Sequence, residues 1–154
     1  MQPLMPELPI EIGDTEKIVR ATKTPSHYDT KKNRLKPAAF RPKIGETLIS
    51  VMRELKGADF CKDKAVEICG GHYIGLSVIR AEAIRIAGST VTDARDEFHG
   101  HAHVDHGFPA PDPSEPSLAA ENERMVTRCR ALASASTFHR DPTSAVAGWA
   151  GNAL

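Results

Sequence analysis

Apolar positions in this chain come in short blocks, and their spacing predicts several strands and two helices. Thr47-Leu-Ile-Ser-Val-Met-Arg53 is β-branched, apolar and short, which predicts a strand. Tyr73 to Ile79 predicts a second, with Leu76, Val78 and Ile79 buried. Arg80 to Ala87 is rich in Ala, Glu and Arg and ends at Gly88, the pattern of a short helix. Ser89-Thr-Val-Thr-Asp93 returns to strand character, so 74–93 reads strand, helix, strand. A longer helix is expected over about 118–134, capped by Ser117. Its apolar side would be Leu118, Met125, Cys129, Leu132 and Ala133, with Glu121, Glu123, Arg124, Arg128 and Arg130 facing water. Ala65–Cys69 fits a helical turn or an edge strand, and 54–64 reads as a connection.

Prolines mark where regular structure should fail. Pro3, Pro6 and Pro9 predict a loosely attached extended arm over residues 1–13, ahead of a single domain from 14 to 154. Asp14–Arg20 is too short to assign. Pro25, Pro37 and Pro42 predict a long basic loop over 21–47, pinned into the core by Leu35 and Phe40. Phe108 to Pro116 should be a rigid, exposed connection, and Trp149 should fold back as a cap. The sum is a small single domain of the α+β class with a short mixed sheet.

One stretch concentrates chemistry. His99-Gly-His-Ala-His-Val-Asp-His-Gly107 holds four of the chain's seven histidines and a carboxylate. If it is extended, alternation places His101, His103 and Asp105 on one face and His106 on the other. Those three side chains would be spread along about 13 Å of strand, so one ion is shared only if the strand bends or ends there. A turn after Val104 would bring His106 back to the set. Imidazole and carboxylate suit zinc or another divalent transition metal. Water on such an ion is a hydroxide source near neutral pH. The candidate ligands are therefore His101, His103, Asp105 and His106. The competing reading has these side chains hydrogen-bonding neighbouring strands and backbone.

Charge and cysteine usage narrow the classes. The 154 residues carry 20 Lys and Arg against 20 Asp and Glu, so net charge gives no pull toward nucleic acid or an anionic membrane. The distribution is uneven: residues 20–44 hold eight Lys or Arg against Asp29, and 93–123 hold eight Asp or Glu against Arg95. These blocks either face each other or form two patches, one of them open to a protein partner or a second copy. The 31–43 segment, near His27 and Tyr28, is a candidate receiver for phosphate or carboxylate. Cys61, Cys69 and Cys129 are an odd, widely spaced set, and no stretch reads as a signal peptide or a membrane span. A cytoplasmic setting is expected. Cys129 should be a buried apolar residue, not a nucleophile.

Two resemblances bear on function. His101-Ala-His103-Val-Asp105-His106-Gly107 resembles the His-x-His-x-Asp-His motif of metallo-β-lactamase-fold hydrolases. That resemblance implies an αββα sandwich, with His101 and His103 serving one zinc and Asp105 and His106 another. It covers seven residues, and His139 is the sole histidine after Gly107. The order of Arg34–Pro42, Leu48–Arg53, Gly75–Gly88 and His101–His103 is similar to that of small uncharacterised bacterial proteins, some of them encoded beside toxins, defence genes or mobile elements. This implies an interaction or immunity-like role. The alternative is a metal-dependent hydrolase or other metalloenzyme built on His101–His106.

Overall fold

The computed structural model describes residues 7–154. Three strands come first: β1 (Lys17–Lys23), then the two-residue pair β2 (Tyr28–Asp29) and β3 (Arg34–Leu35). A single 3-10 turn (Pro37–Phe40) leads to β4 (Leu48–Arg53). Helix α1 (Ala58–Cys69), β5 (Tyr73–Arg80), helix α2 (Ala81–Ile86), β6 (Thr90–Asp93) and β7 (His101–Asp105) follow. The chain ends with α3 (Ala119–Ala135) and β8 (Thr137–Arg140), ahead of an irregular tail. No helix among the described residues is long and apolar enough to cross a membrane.

The class is α+β, with the short and the longer helix where the sequence places them. The principal sheet has the order β6-β7-β4-β1-β5-β8. The expectation of a mixed sheet is corrected in one respect: every ladder in it is antiparallel. Strands β5 and β6 would have made a parallel pair had they been neighbours. Instead α2 and its flanking turn carry the chain past three intervening strands. This one sheet, with β2 and β3 as a separate pair, also differs from the two-sheet sandwich that the seven-residue motif resemblance implies.

Alternation gives the sheet two apolar faces. Ile18, Ile49, Val51, Ile79, Val91, Ala102 and Val104 pack beneath α2, α3 and Phe40. On that side α3 buries Met125, Cys129 and Leu132, as its sequence period predicts. Truncating Leu132 to Ala there should cost about 2–5 kcal/mol. The other face carries Val19, Ala21, Met52, Leu76 and Val78 beneath α1, with Trp149 folded back against them.

Four sequence expectations change. The 54–64 connection is mostly helix: α1 buries the every-fourth-residue stripe Cys61, Ala65 and Cys69. The stripe is hard to see because its residues are small and Lys62 is buried beside it, on Asp141 and the carbonyls of Thr143 and Gly148. The unassigned segment after Asp14 becomes the central strand β1. The long basic loop is organised by the β2–β3 pair and the Pro37 turn. Ser117 does not cap α3, which starts after Leu118 without a side-chain cap; it lies in a 3-10 turn (Pro116–Leu118) capped by Glu115, whose carboxylate accepts from the Ser117 amide at 3.3 Å.

The arm is also firmer than its prolines suggest. Its first six residues lie outside the described ones, but the rest is held through backbone carbonyls. Arg95 donates to Leu8, Arg53 to Pro9 and Glu11, and Arg85 to Ile12.

Candidate metal centre

Strands β6 and β7 form a hairpin whose register sets Thr92 opposite His103 and Thr90 opposite Asp105. On its other side β7 pairs with β4, placing Ser50 opposite His103 and Met52 opposite His101. Ala102 and Val104 enter the α3-side core. His101 and His103 therefore rise from the α1 side of the sheet, as strand alternation predicts.

The connection between β6 and β7 folds back over the first turn of β7. Asp93 Oδ1 accepts from the Arg95 amide at 3.0 Å, and the Glu97 amide closes a turn onto the Ala94 carbonyl at 3.1 Å. The next turn runs from the His101 amide to the Phe98 carbonyl and contains Gly100 at φ 90°. A side chain at Gly100 would adopt a disfavoured conformation and meet the Phe60 ring at 2.7 Å. The reversal hangs Glu97 over both histidines.

The geometry that results is compact. Glu97 Oε2 lies 3.1 Å from His101 Nδ1, and Glu97 Oε1 lies 3.2 Å from His103 Nε2. One donor atom from each residue falls within 4.8 Å of the others. Donors about 2.1 Å from a shared tetrahedral or octahedral ion sit about 3.0–3.4 Å apart, so the two carboxylate separations match ion-sharing distances. The two imidazoles meet edge to face, with centroids 4.7 Å apart.

His101 is 1% exposed, and its Nδ1 makes no hydrogen bond despite being sealed from solvent. Its other nitrogen, Nε2, is 2.5 Å from Ser50 Oγ. Phe98 stacks on the ring at 4.3 Å. Burial pushes the His101 pKa down, against the pull of Glu97, which favours the neutral ring a metal needs. The Glu97 side chain is 59% exposed, so the cluster opens to water on one side.

The four sequence candidates separate. His101 and His103 come together. Asp105 does not join them: its Oδ1 accepts from the Gly107 amide at 2.8 Å. His106 turns to the opposite face, with Nδ1 2.7 Å from Ser89 Oγ and Nε2–H donating to the Phe40 carbonyl at 2.8 Å. Both of its nitrogens are thus engaged within the core, and burial lowers its pKa. The residue missed is Glu97. Its signal was a short strand ending at Asp93, a strand beginning at His101, and a glycine between them that permits the reversal.

No family model, curated protein or solved structure matches the chain.

Proposed function

We propose that the chain binds one divalent transition-metal ion through Glu97, His101 and His103 and acts as a metal-dependent hydrolase. The observation that supports this is the convergence of three donors around a buried imidazole nitrogen that has no hydrogen-bond partner. Two imidazoles and a carboxylate suit zinc, iron or manganese, with zinc a good match to a compact nitrogen-rich set. Such an ion supplies a nucleophilic hydroxide near neutral pH. This chain's residues supply its placement. With Nδ1 facing the ion, His101 carries its proton on Nε2 and donates it to Ser50 Oγ, which fixes the tautomer. Phe98 holds the ring plane.

All three donors come from one chain. The acidic segment that suggested a partner surface has local uses instead: Asp93 pairs with Arg53 and Arg95, Asp112 holds Ser114, and Glu115 holds Ser117. The setting we propose is cytoplasmic, since Cys61, Cys69 and Cys129 are buried free thiols.

Calorimetric titration of untagged, chelator-stripped protein with zinc, iron(II) and manganese tests the reading. One equivalent should bind, and Glu97→Gln with His101→Ala should abolish binding. Hydrolysis of p-nitrophenyl esters or bis(p-nitrophenyl) phosphate should then follow metal loading. Absence of saturable binding by all three ions would refute the metal site. Binding without metal-dependent turnover would leave a metal protein and refute the hydrolase.

A further inference from the structure

A groove of about 710 Å³ lies between the β2–β3 pair, the end of α3 and β8. It is on the α3 side of the sheet at the β8 edge, whereas the metal cluster is on the α1 side at the β7 end. Four strand steps separate β7 from β8, about 19 Å. The groove is therefore a second place on the molecule, independent of the metal cluster.

Its walls bring together basic residues nearly a hundred positions apart: Arg34 and Lys36 from the hairpin, and Arg130 from α3. Arg53, Arg85, Arg95 and Arg124 all have carboxylate partners. Among the described residues Arg34, Lys36 and Arg130 have none. The acid in the lining, Asp29, is held in its own turn, with Oδ1 accepting from the Lys31 and Lys32 amides at 3.0 Å each. Those hydrogen bonds keep it ionised by lowering its pKa. Three cations and one carboxylate leave a net charge of +2 on the lining.

The support beneath these charges is rigid. Tyr28 donates to Asn33 Oδ1 at 2.5 Å, which fixes the hairpin tip, and its ring packs at a tilt against Phe138, with centroids 4.5 Å apart. The Arg140 guanidinium lies over both rings, at 5.6 and 5.7 Å. These aromatic faces are used within the protein, so the groove is no stacking platform for successive bases. Its apolar wall is Leu35 and Pro37.

We propose that this groove binds a small phosphomonoester with a compact apolar body. A phosphomonoester carries about −1.5 to −2 at pH 7, which matches the lining better than a monocarboxylate does. Arginine suits phosphate because its fork donates two parallel hydrogen bonds. The volume lies in the usual range for small-ligand sites.

The test is a titration of the isotopically labelled full chain with phenyl phosphate, followed by amide shifts. Saturable shifts should appear at 33–36 and 134–138. The Lys36→Gln, Arg130→Gln double variant should weaken binding by about tenfold or more through loss of charge-assisted contacts. Arg124→Gln, elsewhere on α3, should leave affinity unchanged, and unshifted remote amides would show that each variant is folded. The Glu97→Gln variant should also bind phenyl phosphate normally, which separates this site from the metal. Three results would overturn the proposal: no saturable shift at the groove, equal binding by the double variant, or equal binding of phenol. Preferential binding of a short oligonucleotide, with shifts spreading to Lys31, Lys32 and Lys43, would replace it with a nucleic-acid surface.

Discussion

Two charged clusters flank the β6–β7 hairpin on opposite faces of the sheet, and they are finished differently. On the α3 side Arg53 is fully buried and satisfied all round. It donates to Glu16 at 2.6 and 2.7 Å and to Asp93 at 2.8 Å, and the arm's carbonyls complete its shell. On the α1 side Glu97 is exposed and His101 has a buried nitrogen with no hydrogen bond. The backbone joins them: the Arg53 amide donates to the Gly100 carbonyl at 2.8 Å. A closed set of ions locks a fold, whereas a set with one coordinating atom left over has capacity for a ligand.

The sharpest way to break the contrast is Arg53→Met. It would leave buried Glu16 without its partner, take one of two arginines from Asp93 and free the Pro9 and Glu11 carbonyls, at a cost of about 3–5 kcal/mol. The urea midpoint should fall accordingly. Burial alone would raise the Asp93 pKa, but hydrogen bonds from Arg95 and Arg53 hold it down at about 2. A small loss in the variant would mean that the closed cluster contributes little to the fold.

His101 and His106 repeat the contrast along one strand. His101→Ala should remove metal binding. His106→Ala should leave it intact while destabilising the chain by about 1–3 kcal/mol, because Ser89 and Phe40 lose a buried partner. Ser50→Ala should fall between, weakening metal affinity by about 10–100-fold through the freed imidazole. If His106→Ala lost the metal with stability unchanged, the closed and open assignments would have to be exchanged.

Acid should act on the closed regions through His27. Its pKa is lowered to about 3, first by burial and then by Arg20 and Lys23. The unfolded chain therefore takes up the proton first. Stability from this group is complete above about pH 6.5 and is lost as pH falls from there toward 3. The loss should reach roughly 1–2 kcal/mol by pH 5. His106, also lowered by burial, acts in the same direction. Thermal midpoints of the chain and of His27→Gln, followed from pH 7.5 to 4.5, should diverge; parallel curves would refute the His27 contribution.

What could be read from the sequence was what depends on neighbours along the chain. The period of Met125, Cys129 and Leu132 located α3, and alternation put His101 and His103 on one face. What could not be read depends on partners far away. Helix α1 buries small residues and a lysine whose partner is Asp141, so its pattern is weak in isolation. Strand β1 is defined by pairing with β4 and β5 on either side. Glu97 was hidden because its role needs a backbone reversal, and the basic block acquired a shape only when α3 brought Arg130 to it.

Asp105 gives the finest test of where the open cluster ends. Strand alternation assigns it to the face of His101 and His103, yet its carboxylate is used by the Gly107 amide at the end of β7. Asparagine keeps the accepting oxygen and removes the charge. Asp105→Asn should therefore retain one equivalent of metal with affinity within about twofold and stability within about 0.5 kcal/mol. A loss comparable to that of Glu97→Gln would extend the metal site along the strand and make the sequence motif, not the hairpin reversal, the source of the carboxylate. A null result would assign that role to Glu97, the one acid that the turn at Gly100 brings back over both rings.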